Sequence, residues 1–204
     1  MRFRRRKEEH QDPGSPGWDA IQAALDALHP SQEPRHVGYV PGLHLGSGLQ
    51  GCSAYLCDGH WHYATFGLSE LWAKEDGSDP QVSGWGYELT MRVRGAVGEA
   101  PGWPFGLLET IARHTRDHVH PFAIGDRLDP GGPITGTAGT RLVAVAFTRD
   151  RSLDPITTPN GRLEFRQLVG ITREELEEMK ASSTDAVLAR LSEDDPLLVT
   201  DPER

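Results

Sequence analysis

Cysteine and long apolar runs are what this chain has least of. Only two of its 204 residues are cysteines, Cys52 and Cys57, and their C-x4-C spacing is not that of a usual zinc pair. Two cysteines cannot build a disulfide framework, so we expect two reduced thiols in a cytoplasmic protein. No stretch approaches the roughly 18 apolar residues of a membrane-spanning helix. The N-terminal arginines are followed by Glu8 and Glu9 rather than by an apolar segment, so we expect neither a secretory signal nor a membrane partner.

Motifs of catalysis and of phosphate binding are also missing. The chain has no G-x-S-x-G, S-x-x-K, H-E-x-x-H or G-K-[ST] segment. A nucleophilic pair of Cys57 with His60 has no motif around it, and Ser69 lacks the second glycine of a nucleophile elbow. We therefore predict a protein that is not an enzyme, with no catalytic residues, no bound metal and no cofactor.

Charge is distributed unevenly along the chain. The net charge is −9, yet the first seven residues carry five basic side chains and no acidic one. The remainder therefore has 16 basic and 30 acidic residues, a balance of −14. Such a body repels nucleic acid and anionic membranes and attracts basic protein segments. The basic start is either a solubilising end or an arm that touches RNA or lipid. We predict a disordered arm over residues 1–16 and a single domain over residues 17–204.

Hydrophobic periodicity predicts several regular elements. Apolar residues at helical spacing indicate a helix over 18–29, which Pro30 ends. Alternation predicts strands at 60–66 and 85–94, the second with one buried and one solvent-exposed face. The continuous apolar run at 142–147 is typical of a central strand covered on both faces.

Turn and cap signals place further elements. Asn160-Gly161 is the strongest short hairpin signal in the chain, and an alternating strand follows it. Thr172 with Glu175 three residues later forms a capping box, which opens a helix. Helices and strands in this irregular order predict an α+β fold, with helices packed on a mixed β-sheet rather than regular βαβ repeats.

Histidines offer the main alternative to a binding function. His60 and His62 lie two residues apart on a predicted strand, so both imidazoles face the same side. With Glu70 or Glu88 as a carboxylate they could form the site of a metal-dependent hydrolase. The second histidine group consists of His114, His118 and His120. One strand supplies only two of the three or four ligands that zinc takes, so buried, hydrogen-bonded histidines are the ordinary alternative.

Aromatic and acidic residues are concentrated in one part of the chain. The aromatic residues there are Trp61, Tyr63, Phe66, Trp72, Trp85 and Tyr87, and the acidic ones are Glu70, Glu75, Asp76 and Glu88. Aromatic anchors beside carboxylates suit the recognition of an extended peptide, and an unpaired sheet edge could add a partner strand. The plain alternative is that most of these rings belong to the core, which we expect for Trp85 and Tyr87.

Five segments of the chain follow one another in the order and approximate spacing of a known family. They are His60-Trp61-His62-Tyr63 with Phe66 to Leu71, Gly84 to Arg92, Trp103-Pro104 with Ala112-Arg113, Thr158 to Gly161 with Gln167 to Gly170, and Leu198 to Asp201. Together they resemble the signature of suppressor of fused domains over roughly Trp18 to Asp201. The chain is thereby identified as a member of that family, with a single suppressor-of-fused-like domain of the bacterial type.

The resemblance implies a non-catalytic scaffold that binds a protein partner. Animal members carry a second, C-terminal domain, and a peptide of a Gli-type transcription factor lies as a strand between the two domains. Single-domain bacterial relatives are placed in polymorphic toxin systems, where they are thought to act as immunity proteins. The implied partner is therefore a peptide strand or a toxin that this chain sequesters or inhibits. A structural component without a regulated partner is the remaining alternative.

The resemblance also implies where a partner would bind. In the family, peptide-contacting positions of the first domain lie around the H-W-H-Y strand and the acidic stretch after it. The corresponding residues here are Tyr63, Glu70, Trp72 and Asp76. These four are the predicted partner-binding residues.

Overall fold

The computed structural model describes residues 14–39 and 48–204, so residues 1–13 of the predicted arm lie outside the described residues. Its helices are α1 (Pro16–Leu28), α2 (Trp103–His118), α3 (Arg173–Ala181) and α4 (Thr184–Asp194). Its strands are β1 (Arg35–Gly38), β2 (Gly51–Cys57), β3 (His60–Phe66), β4 (Val82–Arg94), β5 (Arg127–Leu128), β6 (Leu142–Arg149), β7 (Ile156–Thr158) and β8 (Gly161–Thr172). Over these two ranges, no helix combines the length and apolar composition needed to cross a bilayer.

The strands form one mixed sheet. Their order is β1-β2-β3-β4-β8-β6-β5, and β7 pairs with the start of β8. Neighbouring strands within β1 to β4 are antiparallel, and so are the pairs that β6 makes with β5 and β8. The β4–β8 pair is parallel, and it joins the first half of the sheet to the second. The predicted α+β architecture with a mixed sheet is confirmed.

Helix α2 covers one face of the sheet. Its buried side carries Phe105, Leu108 and Ile111, which pack among apolar residues that β3, β4 and β6 direct to this face, such as Tyr63 and Phe147. Burying a side chain of this size stabilises the fold by about 1.5–3 kcal/mol. This face is therefore a continuous apolar core.

Two separate groups of helices cover the opposite face. Helix α1 packs through Ile21 and Leu25 against buried apolar residues of β2, β3 and β8. Helices α3 and α4 pack over β6 and the second half of β8. Along β8, the buried Gln167 separates Phe165 of the first cluster from Val169 of the second. The buried polar residues between the two clusters are His62, Thr90, Arg92, Asp150 and Gln167.

Several local predictions are confirmed. Strand β3 has the predicted bounds, His60–Phe66. Thr158 pairs with Gly161 at the turn between β7 and β8, as the Asn-Gly signal predicts. Thr172 caps α3, and both hydrogen bonds of its capping box with Glu175 are present. Each of these signals depends only on neighbouring residues, which explains its reliability.

One prediction about exposure, for β4, and one about position in the sheet, for β6, are wrong. Strand β4 has no solvent-exposed face between Tyr87 and Val93, because the polar side chains of Glu88, Thr90 and Arg92 are buried as well as the apolar ones. Strand β6 is largely buried but is not central, since only the two-residue strand β5 separates it from the edge. Alternation reports the polarity of side chains, whereas their burial depends on distant elements that cover them.

Candidate functional site

A groove of about 670 Å³ lies where β2 begins, β3 ends and β4 begins. These three points meet at one end of the sheet because the strands are antiparallel neighbours. Residues 67–73, Trp85 and Arg116 form much of its lining. The groove is therefore formed by the F-G-L-S-E-L segment (66–71), the start of the G-W-G-Y strand (84–87) and the last turn of α2.

A buried carboxylate holds the floor of the groove in place. Glu88 of β4 is fully buried and accepts hydrogen bonds from the hydroxyl of Thr65 (2.7 Å), the backbone N–H of Gly67 (2.9 Å) and the backbone N–H of Ser69 (2.9 Å). The Ser69 hydroxyl donates to it as well, at 2.6 Å. Burial raises the pKa of Glu88, and these donors oppose that rise. The chain reversal after β3 is thus fixed by one side chain of the neighbouring strand.

Glu70 organises the loop that follows the floor. Its carboxylate accepts from the ammonium of Lys74 at 2.7 Å and from the backbone N–H groups of Glu75 (2.9 Å) and Gly84 (3.2 Å). The Ser78 hydroxyl also donates to it, at 3.3 Å. Partial burial would raise the pKa of Glu70, but the hydrogen bonds from Lys74 and the backbone bring it below its ordinary value. With four donors in place, this carboxylate supports the groove wall.

Trp72 is the most exposed aromatic side chain at the groove. It is 49% exposed, while Trp85 on the same groove is half-buried. The backbone around Trp72 is fixed, because the side-chain amide of Asn160 donates to the carbonyl oxygens of Glu70 (2.8 Å) and Trp72 (3.1 Å). Asn160 lies at the β7–β8 turn, so a hairpin distant in sequence holds the indole at the surface.

The groove brings together only part of the predicted site. Glu70 and Trp72 both line it. Asp76 is exposed on the loop beside Glu75, which does line it. Tyr63 lies in the core with 0% exposure, where its hydroxyl donates to the carbonyl of Pro101 at 2.8 Å. In this conformation Tyr63 touches no solvent, so any effect it has on a partner is exerted through the fold.

Sequence reasoning missed Arg116 as a groove residue. Judged from the sequence, Arg116 is only a cation in the last turn of a helix, where it suits the helix dipole. In the structure its guanidinium donates to the carbonyl oxygens of Gly48 and Gly67, which come from two loops far away in sequence. Nothing local to the helix signals such a contact, because it depends on how α2 crosses the sheet.

His60 and His62 are buried and fully engaged. His60 Nδ1 lies 3.0 Å from the carbonyl of Asp58, and its Nε2 lies 3.3 Å from a guanidinium nitrogen of Arg92. His62 Nδ1 lies 2.9 Å from His29 Nε2, and its Nε2 lies 3.1 Å from a carboxylate oxygen of Asp150. All four ring nitrogens therefore already have partners, which leaves no lone pair directed at a metal ion. In the described part of the chain, no group of three or more potential ligands is placed to hold one.

Burial sets the protonation of this network. It lowers the pKa values of both His62 and His29, and the positive charge of Arg92 lowers them further. Burial acts on Asp150 in the opposite sense, but the hydrogen bonds from His62 and the backbone of Ser152, with the positive charge of Arg92, hold its pKa well below the ordinary range. The network is thus a carboxylate paired with a guanidinium, beside neutral imidazoles. Such a cluster is typical of a satisfied interior polar site.

The remaining candidates lie apart from the groove lining. His114 and His118 share a face of α2, and their rings stack with centroids 4.1 Å apart. Cys57 and His60 are cross-strand partners, but among the described residues the Cys57 thiol makes no hydrogen bond to His60; it lies 3.9 Å from His29 Nδ1, and burial raises its pKa. A thiol of raised pKa is a poor nucleophile at neutral pH.

Comparison with known proteins gives matches over most of the chain. The model of the family described as suppressor of fused protein (SUFU) matches residues 48–204. The human and mouse suppressor of fused homologues are each 33% identical over 156 residues, which are 71% of this chain and 32% of theirs. The chain thus spans about a third of the length of these curated relatives.

Solved structures with the same fold are also found. A chain in the crystal structure of the Sufu–Fu complex is 29% identical with a TM-score of 0.85, over 94% of this chain and 91% of that one. Drosophila Suppressor of Fused is 28% identical with a TM-score of 0.83, over 95% of this chain and 51% of that one. A SUFU homologue from Neisseria gonorrhoeae, 14% identical over 87% of this chain and 90% of that one, shares the fold with a TM-score of 0.61.

Proposed function

The chain belongs to the suppressor of fused family, and from this premise we propose that it is a protein-binding domain rather than an enzyme. A relative of high structural similarity was solved in a complex of Sufu with Fu. Carried over to this chain, that complex supports binding of a protein partner. The engaged histidines give no support to the alternative of a metal-dependent hydrolase at His60 and His62.

The exposed Trp72 is the observation that carries the proposal to a particular surface. A half-exposed indole leaves apolar surface in water, and that surface contributes nothing to the stability of the fold. Here the backbone of Trp72 is fixed by Asn160, and its ring is exposed at the groove that Trp85 also lines. Tryptophan is among the residues that most often dominate the binding energy of an interface. We therefore place the partner on the groove, with Trp72 as an anchor.

Within this function, the chain sequesters or inhibits its partner. The partner is a peptide strand or a toxin, and a role as an immunity protein fits the acidic body, because a balance of −14 favours a basic partner. The outer strands β1 and β5 offer edges for a partner strand. Both cysteines are free thiols, which agrees with a place in the cytoplasm.

Quantitative capture of partners from a lysate of the native host, with tagged protein, tests this proposal. We expect one stoichiometric partner that is retained by the wild type and lost with Trp72→Ala. Val97→Ala is the matched control, since Val97 is 84% exposed and does not line the groove. A partner retained equally by both variants would move the interface away from the groove. No specific partner under conditions that induce expression of neighbouring genes would argue against a binding function.

A further inference from the structure

Arg116 is held in a fixed position at the wall of the groove. Its Nη2 donates to the carbonyl oxygens of Gly48 at 3.3 Å and of Gly67 at 3.1 Å. The guanidinium lies so close to the α-carbon of Gly48 that an added Cβ would overlap it. Gly48 has φ +66°, a conformation that also favours glycine. A side chain fixed in this way has little conformational freedom left to lose when a ligand binds.

No carboxylate of residues 14–39 or 48–204 pairs with Arg116. Among the residues that the structure describes, its Nε and Nη1 have no acceptor and no carboxylate lies within salt-bridge distance. Arg116 is exposed and lines the groove, so these donors are accessible. A guanidinium with two donor nitrogens that have no acceptor is suited to bind a carboxylate.

The other charged groups of the groove, Glu70 and Glu75, contribute less than Arg116 to the choice of ligand. Glu70 is occupied by its four donors. The carboxylate of Glu75 is exposed, and over the described ranges no hydrogen bond fixes it. An unfixed, hydrated carboxylate discriminates less between ligands than a fixed guanidinium, because it can turn away into solvent.

We infer that the groove binds a partner segment in which an aromatic residue is followed by an acidic one. The aromatic ring lies against Trp72 and Trp85, and Arg116 binds the carboxylate of the next residue. This inference rests on the proposed protein-binding function and adds the chemistry of the segment that is bound. The acid is a local feature, so the partner can be basic elsewhere, as the acidic body favours.

Blocked tetrapeptides test this chemistry without the natural partner. The acidic probe is acetyl-Gly-Trp-Asp-Gly-amide, and its neutral isostere carries Asn in place of Asp. A third probe carries Lys there. Binding to the full chain, labelled with ¹⁵N, is followed at low salt through the indole N–H signals. Trp72 and Trp85 report on the groove, while Trp61 and Trp103 serve as internal controls because they do not line it.

We expect the Asp peptide to shift the Trp72 and Trp85 signals and to bind about fivefold more tightly than the Asn peptide, since a charge-assisted hydrogen bond is stronger than a neutral one. The ratio of the two affinities, Asp peptide to Asn peptide, should fall to about one in Arg116→Gln and should persist in Arg116→Lys. Arg113→Gln is the matched control, because it removes the same charge from the same helix outside the groove. Gly48→Ala should lower the ratio while leaving the charge in place.

Three outcomes would overturn the inference. They are equal binding of the Asp and Asn peptides, tighter binding of the Lys peptide through Glu75, and a ratio unchanged by Arg116→Gln. None of these affects the proposed function, which is tested by capture of a partner. Conversely, a failed capture leaves the peptide preference intact.

Discussion

His29 Nε2 and His62 Nδ1 share a hydrogen bond of 2.9 Å beneath helix α1. The ionised Asp150 accepts from His62 Nε2, so that nitrogen carries the proton and His62 Nδ1 is the acceptor. His29 must therefore donate from Nε2, and its Nδ1 lone pair faces the Cys57 thiol 3.9 Å away. One carboxylate thus orients both rings, and a second proton on His62, at Nδ1, would break its hydrogen bond with His29.

The free energy of unfolding should consequently decrease as the pH is lowered through a defined window. Burial lowers the pKa of His29 to about 4 from its ordinary value of 6.5, so the unfolded chain binds a proton that the folded chain excludes. The stability of the fold with neutral His29 is therefore complete above pH 6.5 and is lost as the pH falls from 6.5 towards 4. Each excluded proton costs at most about 1.4 kcal/mol per pH unit in that window. The lowered pKa of His62 acts in the same direction.

Chemical denaturation at several pH values between 7.5 and 4.5 would measure this slope. His29→Asn removes one titrating group and should reduce the slope by up to one proton. Val97→Ala, at an exposed position without a titratable side chain, should leave the slope unchanged. An unfolding free energy that does not change between pH 7 and 5 in the wild type would contradict the assignment of neutral, buried imidazoles.

Asp150 should be the most sensitive residue of the interior polar cluster. Its side chain pairs with Arg92 at 3.1 Å, accepts from the Thr90 hydroxyl at 2.7 Å and is fully buried. Asp150→Asn leaves the Arg92 charge buried without a counter-ion, which costs about 3–5 kcal/mol in comparable cases. Asp154→Asn, an exposed change in the same loop, should stay within about 0.5 kcal/mol. Equal denaturation midpoints for the two variants would show that the pair does not stabilise the fold.

Tyr63 should behave as a core residue. Tyr63→Ala removes a ring that packs edge-on against Phe105 at 5.1 Å, and we expect a loss of about 3–5 kcal/mol. Tyr63→Phe removes only the hydrogen bond to Pro101 and should cost about 0.5–1.5 kcal/mol. Partner binding by the folded Tyr63→Phe protein should match the wild type. A folded Tyr63→Phe variant that failed to bind would restore Tyr63 as a direct contact.

Glu70 should act on the loop rather than on the overall fold. Its carboxylate ties down the backbone N–H groups of Glu75 and Gly84. In Glu70→Gln the charge-assisted bonds weaken, so amide hydrogen exchange at both positions should accelerate about tenfold, equivalent to about 1.4 kcal/mol. Exchange in β3 and β8 should be unaffected. Glu193→Gln, on the exposed end of α4, is the control and should change neither region.

Local sequence signals determined how much of the fold was predictable. The bounds of β3, the β7–β8 turn and the cap of α3 depend on residues within a few positions of one another, and all three were predicted. The burial of Glu88 was not predictable, because its donors lie 19 to 23 positions away in sequence, at Thr65 of β3 and at Gly67 and Ser69 after it. A glutamate on an alternating strand has the same pattern whether water or four donors surround it.

The candidate site shows the same division. Its loop segments were found through their resemblance to a family signature, and Trp72 and Glu70 do line the groove. Arg116 was missed, since its role depends on the end of α2 meeting Gly48 and Gly67. The prediction for Tyr63 rests only on its place in the signature strand. Membership of a signature does not distinguish a residue that supports a surface from one that forms it.

The parallel pairing of β4 with β8 sets the order in which the chain can mature. Strands β1 to β4 leave the ribosome first and can pair through short connections, whereas β8 follows only after α2 and β5 to β7. Until then β4 presents a long unpaired edge, which is a template for association with other chains. Pairing of β4 with β8 requires contacts between residues distant in sequence, which form slowly. Nascent or refolding chains are therefore most prone to aggregate during this interval, when chaperones would protect them best.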